Sequence, residues 1–315
     1  MPDEPRKRVL SYGRFLALLL AIPLALLLLT IPLARMPAFL WWTRDSLCLM
    51  LDYRYSLKNV DADVVVFGDS TSMIDYDPLI MESDLHMSVI DVGDINSGLA
   101  LHGDYALQNY MNNNKPPKLI VIYLAPWNTT LRPESDTSYE AVMMLVRHHS
   151  WPQIFSFVIR QPVKAMQFEL LVLKRLISPG TWLQPKRYES AQIVQGHKGH
   201  FPSPVSNSLP DNCVLSSEKI GQPQGGFTKY LAKKYSTGST QTLVYLSPIP
   251  ACAGADAFRH YSYEGISVNA PELISPSLVV NDSAYGHFLS VEVDQATHDL
   301  DAAIRAHFNP ARAVD

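Results

Sequence analysis

The stretch Val64-Val65-Val66-Phe67-Gly68-Asp69-Ser70-Thr71-Ser72 constrains the fold of this chain more than any other. Four apolar residues, mostly β-branched, predict a buried parallel strand, and the Gly-Asp-Ser that follows predicts a sharp turn into a helix start. Ser70 then stands at the carboxyl end of a strand. In open α/β sheets ligands bind at that edge, and the first backbone N–H groups of the next helix are free to stabilise negative charge. A serine so placed can be a nucleophile with part of its oxyanion hole already formed. The same residues could simply start a helix, since Asp and Ser are favoured caps. The rest of the chain has to decide between the two.

A second apolar run, Ser88-Val89-Ile90-Asp91-Val92-Gly93, is soon followed by Gly98. A helix predicted over 99–112 ends in an asparagine cluster and Pro116-Pro117. The clearest buried strand covers 118–124 and leads into Ala125-Pro126-Trp127-Asn128. Strand alternating with helix predicts right-handed crossovers and a parallel three-layer sheet, with Ser70, the 93–98 loop and Asn128 along one edge. Residues 139–177 are apolar and helix-compatible, with a second helix starting at Trp151-Pro152, and read as an insertion between strands. The Pro-, Gly- and Ser-rich stretch 178–223 suggests a lid, a substrate-binding loop or a partner surface. Its His197 and His200 read as solvated loop residues rather than ligands, so neither a metal nor another cofactor is expected. A helix at 227–234, a strand at 242–246 and a last short strand at 278–280 precede Asn281-Asp282 and Tyr285-Gly286-His287-Phe288-Leu289-Ser290. The terminal helix, 291–307, carries helical apolar spacing at Val293, Ala296, Leu300 and Ile304.

Ahead of all this, residues 15–33 are apolar apart from Pro23, Thr30 and Pro32, long enough to cross a bilayer as a helix. Arg6, Lys7, Arg8 and Arg14 precede the run and only Arg35 and Arg44 closely follow it. That bias puts the N-terminus in the cytoplasm and the rest outside, with Trp41 and Trp42 suited to the far interface. A cleaved signal peptide competes with this reading, but its apolar core would be long for that class. No second run reaches spanning length, so the chain reads as single-pass. The expected organisation is a cytoplasmic N-terminus (1–14), an anchor (15–36), a juxtamembrane helix or linker (37–62), one domain (63–308) with an insertion at about 139–223, and a tail (309–315). A chain of 315 residues, 47% hydrophobic, has ample material for a core, and its net charge of -4 lacks the basic footprint of nucleic-acid binding. The three cysteines have no zinc-site spacing. In an oxidising compartment Cys213 and Cys252 are the pair to bridge, because Cys48 sits near the membrane segment; two buried free thiols are the alternative.

The blocks Gly68-Asp69-Ser70-Thr71-Ser72, Val89 to Gly93 with Gly98, Asn128, and Asp282 with His287-Phe288-Leu289-Ser290 together resemble those of the SGNH (GDSL-like) hydrolase superfamily over about 63–308. The resemblance implies a three-layer flavodoxin-like α/β fold after the N-terminal transmembrane helix. It makes Ser70 the nucleophile, His287 the general base and Asp282 the residue orienting the imidazole. The oxyanion hole would comprise the Ser70 N–H, the N–H of Gly93 or Gly98, and the Asn128 amide. A single anchor followed by such a domain is similar to the membrane-tethered branch that includes alginate O-acetylation proteins and the teichoic-acid D-alanylation protein. That likeness implies a periplasmic acyltransferase of the cytoplasmic membrane that places acyl groups, acetyl foremost, on an envelope or secreted polysaccharide. Its partner would be a multi-span membrane-bound O-acyltransferase that passes the acyl group outward. A carbohydrate deacetylating esterase and a non-catalytic SGNH-like scaffold are the alternatives. Trp127, Trp151 and Trp182 could stack on sugar rings or fill a core.

Overall fold

The computed structural model describes residues 4–43, 45–128, 137–177, 194–201, 207–213, 226–253, 271–282 and 286–308. They fall into two compact units, one from Met1–Leu49 with Ser138–Tyr188, the other from Met50–Thr137 with Glu189–Asp315. Trp182, the tail 309–315 and most of 178–223 lie outside the described residues.

The second unit is built on four parallel strands, β1 (Val64–Gly68), β2 (Val89–Asp91), β3 (Leu119–Leu124) and β4 (Gln241–Leu246), in the order β2-β1-β3-β4. Val64 pairs with Val89 on one side and Leu119 on the other, and Leu119 pairs with Gln241. Strands β1 and β3 are buried along their whole length, which is why they read as unbroken apolar runs rather than alternating ones. Val64, Val66, Leu119, Val121, Tyr123, Leu243 and Tyr245 share one face with Met81 of α5 (Pro78–Leu85) and with Leu300 and Ile304 of α12 (Ser290–His307). The chain steps one way from β1 to β2 and the other way from β2 through β3 to β4. Right-handed crossovers therefore put α5 on one face, and the helices Asn96–His102, Tyr105–Asn113 and Gly226–Tyr235 on the other. The class is α/β with a parallel sheet, and its 2-1-3-4 order is that of flavodoxin-like sheets.

Besides α5, the crossover helices are α4 (Ser70–Ile74), α6 (Asn96–His102), α7 (Tyr105–Asn113) and α11 (Gly226–Tyr235). The single helix expected at 99–112 is thus two, because Gly103 ends α6 with φ +62°. The strand expected at 278–280 does not join the main sheet. A 3-10 turn at Pro276–Leu278, capped by Ser275, leaves only Val279 and Val280 extended, and they make isolated antiparallel bridges to Phe288 and Ser208. A further parallel pair, β5 (Ile249–Pro250) and β6 (Leu273–Ile274), lies apart from the four-stranded sheet. Cys213 and Cys252 form the disulfide, their Cα atoms 5.6 Å apart, and Cys48 is a buried free thiol.

The first unit contains α1 (Glu4–Arg35), α2 (Pro37–Thr43), α8 (Tyr139–His148), α9 (Trp151–Arg160) and α10 (Pro162–Ile177), and α3 (Ser46–Tyr55) runs across the division. The 139–177 insertion is three helices rather than two. Ser138 caps α8, a Ser150–Gln153 capping box opens α9, and Pro162 starts α10 after the break at Gln161. Helix α1 packs against α8 and α10. Among the described residues no helix is long and apolar enough to cross a membrane; within α1, the side chains of 4–11, 18, 20, 23, 24 and 27 are outside the description.

Candidate active site

Strand β1 ends at Gly68, where a Cβ would lie 1.5 Å from the Tyr123 carbonyl oxygen; only glycine lets β1 and β3 approach so closely there. Asp69 follows as the N-cap of α4, and Ser70 is that helix's first residue. Asp69 is fully buried and accepts four hydrogen bonds: from Thr71 N–H (3.0 Å), the Thr71 hydroxyl (2.5 Å), Ala125 N–H (3.2 Å) and the Asn128 side-chain amide. Because Asp69 acts as the acceptor, the nitrogen of the Asn128 amide must face it. One N–H of that amide is thereby fixed and the second is left to donate elsewhere. Asn128 closes a 3-10 turn, Pro126–Asn128, at the end of β3. Ser70 and Asn128 thus stand at the carboxyl ends of neighbouring strands β1 and β3, where the strand order reverses.

Opposite Ser70 is a turn built from the far end of the chain. His287 Nε2 lies 2.8 Å from Ser70 Oγ, and His287 Nδ1 lies 2.6 Å from Asp282 Oδ2. The His287 side chain is 12% exposed and that of Asp282 33%. Val280 N–H donates to the His287 carbonyl (2.8 Å) and Leu289 N–H to that of Leu278 (2.9 Å). Asp282 and His287 therefore sit on the two arms of one antiparallel turn, and that is how a spacing of five residues brings their side chains together. Gly286 passes over the site wall, where a Cβ would come 3.0 Å from the Trp127 ring and 3.1 Å from the Thr71 methyl.

Sequence reading missed the residue that fastens this turn. Asp75, the C-cap of α4, is fully buried; its Oδ1 accepts from Phe288 N–H at 3.0 Å and its Oδ2 meets the Ser247 hydroxyl at 3.4 Å. Burial pushes its carboxyl well above the usual range, the Phe288 bond opposes this, and the charges of Asp69 and Asp282 push it further up. Asp75 thus joins the nucleophile helix, the end of β4 and the residue after His287. The only available signal was an acid a few residues after Ser70, which says nothing about a partner at position 288.

The two glycines of the second block serve packing. Gly93 N–H donates to Asp91 Oδ1 at 2.7 Å, and a Cβ there would lie 2.0 Å from Ser72 Oγ. At Gly98, in the first turn of α6, a Cβ would lie 2.2 Å from Asp94 Oδ1. The structure thus brings together Ser70, His287 and Asp282, and ties Asn128 to Asp69, but it engages the Gly93 N–H elsewhere. Beneath this loop Arg54 and Asp91 form a fully buried ion pair at 3.3 Å. Asp94 accepts from the Tyr55 hydroxyl at 2.5 Å. Burial pushes both carboxyls up to about 6, against the pull of Arg54 on Asp91 and of Tyr55 on Asp94.

His200 is buried, not solvated, and burial pushes its pKa down to about 4. Trp127 borders the site, whereas Trp151 lies in the first unit under the Arg35 guanidinium, 4.8 Å from its ring centroid. Among the described residues one group could hold a metal ion, Asp84, His298 and Asp301, with possible ligand atoms within 4.8 Å of one another. His298 Nδ1 is 2.7 Å from Asp84 Oδ2, and burial with the neighbouring Asp84 pushes Asp301 up to about 7.

Compared with protein-family models, with curated proteins and with solved structures, the chain matches none.

Proposed function

We propose that this chain is a serine-dependent acyltransferase of the SGNH type, anchored in the cytoplasmic membrane by α1, that places acyl groups, acetyl foremost, on a cell-envelope polysaccharide outside it. The observation that carries this reading is the hydrogen-bonded chain from Asp282 through His287 to Ser70 at a sheet edge. Asp282 holds the proton of the imidazole on Nδ1, which leaves Nε2 to accept from Ser70 Oγ. Attack on an ester carbonyl forms the Oγ–C bond, sends the serine proton to Nε2 and puts charge on the carbonyl oxygen. The free Ser70 N–H at the start of α4 and the second N–H of Asn128 are the donors available to that oxyanion; one such donor contributes about 3 to 4 kcal/mol in the transition state. His287 returns its proton to the leaving alkoxide, and an acceptor hydroxyl, deprotonated by the same nitrogen, takes the acyl group from serine. The Cys213–Cys252 disulfide supports an oxidising compartment, and therefore the extracytoplasmic placement. An acyl group activated in the cytoplasm has to cross the membrane first, which a multi-span O-acyltransferase partner would do.

The test is turnover of a chromogenic acetyl ester by the full chain, with and without oligosaccharide acceptors, beside Ser70→Ala. The variant is expected to lose about 10⁴-fold or more in rate with an unchanged circular dichroism spectrum. Acetyl appearing on the sugar marks a transferase, and acetyl passing to water alone marks an esterase. Equal rates for folded wild type and Ser70→Ala would leave the scaffold.

A further inference from the structure

We propose that α9 and α10 lie in the lipid interface beside α1, so that the first unit grips an anionic bilayer through three helices. This rests on the reading of α1 as the membrane anchor. In α9 the residues divide into three strips. Ile154 and Phe157 are buried; Gln153, Ser156 and Arg160 form a polar edge; and Trp151, Phe155 and Ile159, four residues apart, are 43%, 50% and 79% exposed. Helix α10 continues the pattern. Ala165, Phe168 and Val172 face inward, while Val163, Met166, Leu170 and Ile177 are large apolar side chains left exposed. A water-facing helix would carry polar residues at those positions. Soluble surfaces rarely expose a contiguous apolar patch of this kind unless something covers it.

Three observations make that cover lipid. The strip belongs to the same unit as the anchor: α10 packs on α1, and Phe15, Leu19, Ile22, Leu28 and Leu29 of α1 are exposed apolar residues of that unit. The helices are also fastened at the end of the apolar run, where Arg35 donates to the His149 carbonyl (2.8 Å) and Arg147 to that of Ala34 (2.8 Å). Arg35 also covers the ring of Trp151, the first residue of α9. Tryptophan and arginine at the end of a span are interfacial residues. Finally, the exposed charges on α9 and α10 have one sign. Arg160 and Lys174 are exposed and Lys164 partly so, while Glu169, the one acid of these two helices, is buried. A basic, aromatic-edged apolar strip matches a bilayer with anionic headgroups.

The experiment places one fluorophore at a time on the full chain in vesicles of phosphatidylcholine and phosphatidylglycerol. Single cysteines go in as Ile22→Cys, Gln153→Cys, Ile159→Cys and Leu170→Cys; the chain without them is the labelling blank, because Cys48 is buried. Quenching by lipids carrying a nitroxide on the acyl chain is then read. Labels at 159 and 170 are expected to quench within about twofold of the label at 22, and about fivefold more than the label at 153. Strong quenching at 22 with 159 and 170 no better than 153 would overturn the proposal and keep the anchor. No quenching at any position would overturn the anchor reading itself. Labels at 159 and 170 that escape lipid quenchers but self-quench as protein density rises would mean that a second copy covers the face, which also overturns it.

Discussion

Ser70 and Asn128 stand on the ends of neighbouring parallel strands, whereas His287 and Asp282 stand on a turn that joins no four-stranded sheet. The first pair inherits its position from the register of β1 and β3, and Asp69 locks it with four bonds, two from Thr71 beside it and two from the end of β3. The second pair is held by pieces from remote parts of the chain: Leu209 donates to the Val279 carbonyl, Asn281 to that of Asn207, and Asp75 receives Phe288 N–H. Geometry at the nucleophile is thus a property of the sheet. Geometry at the base is a property of a few side-chain and loop contacts, and should be the easier of the two to disturb.

The sharpest test of that contrast lies in the turn. Asp282→Asn keeps the shape, but an amide donates to His287 Nδ1 and forces the proton onto Nε2, which can then no longer accept from Ser70. Turnover should fall about 10⁴-fold, while stability stays within about 0.5 kcal/mol because the side chain is one-third exposed. Full activity in Asp282→Asn would remove the acid from the mechanism. On the sheet side, Asn128→Ala removes one donor and should cost about 10² to 10³ in kcat with little change in KM. An equal rise in KM instead would assign Asn128 to substrate binding.

The same contrast explains what could be read from the sequence. The parallel sheet, the serine at its edge and the pairing of Cys213 with Cys252 were legible because each rests on a local pattern: an apolar run, a turn dipeptide, a short roster of cysteines. The positions of Asp282 and His287 came only through family resemblance, since nothing near position 287 fixes where it folds back. Asp75 was not legible at all, because its partner lies 213 residues away and is a backbone N–H, which no residue type announces. Gly93 and Gly98 were legible as constrained positions, yet the constraint is the close approach of Ser72 and Asp94. The exposed strip on α9 and α10 read simply as apolar helix, because composition does not tell an inward face from an outward one.

Asp75 tests whether the base side really hangs on one contact. Asp75→Ala leaves Phe288 N–H without its buried acceptor and should cost about 1 to 3 kcal/mol in unfolding free energy. It should also lower kcat, by letting His287 drift from Ser70. Asp75→Asn retains the shape and an acceptor for Phe288 N–H, and should restore most of both losses. A chain that loses stability in Asp75→Ala while keeping its full rate would show that the turn is positioned by its backbone bridges alone.

The last effect expected is a slope rather than a loss of activity, and it belongs to the loop after β2. Asp94 is wholly buried against Tyr55 and its carboxyl is pushed from 3.8 up to about 6, chiefly by burial. A carboxyl raised in the folded state binds its proton more tightly there than in the unfolded chain. Its contribution to stability is therefore complete below about pH 4 and is lost as pH rises through about 6, a decline of about 2 to 3 kcal/mol. Asp91 adds a decline of the same sign, moderated by Arg54. Asp94→Asn keeps an acceptor for the Tyr55 hydroxyl and cannot ionise. Subtracting its unfolding free energy from that of wild type, by urea titration at pH 4, 5, 6 and 7, cancels the other carboxylates. The difference should drop across pH 4 to 6 and then stay flat. A difference that is flat throughout would mean that Asp94 ionises in the fold as readily as in water, and that the loop under the serine edge is wetter than its packing implies.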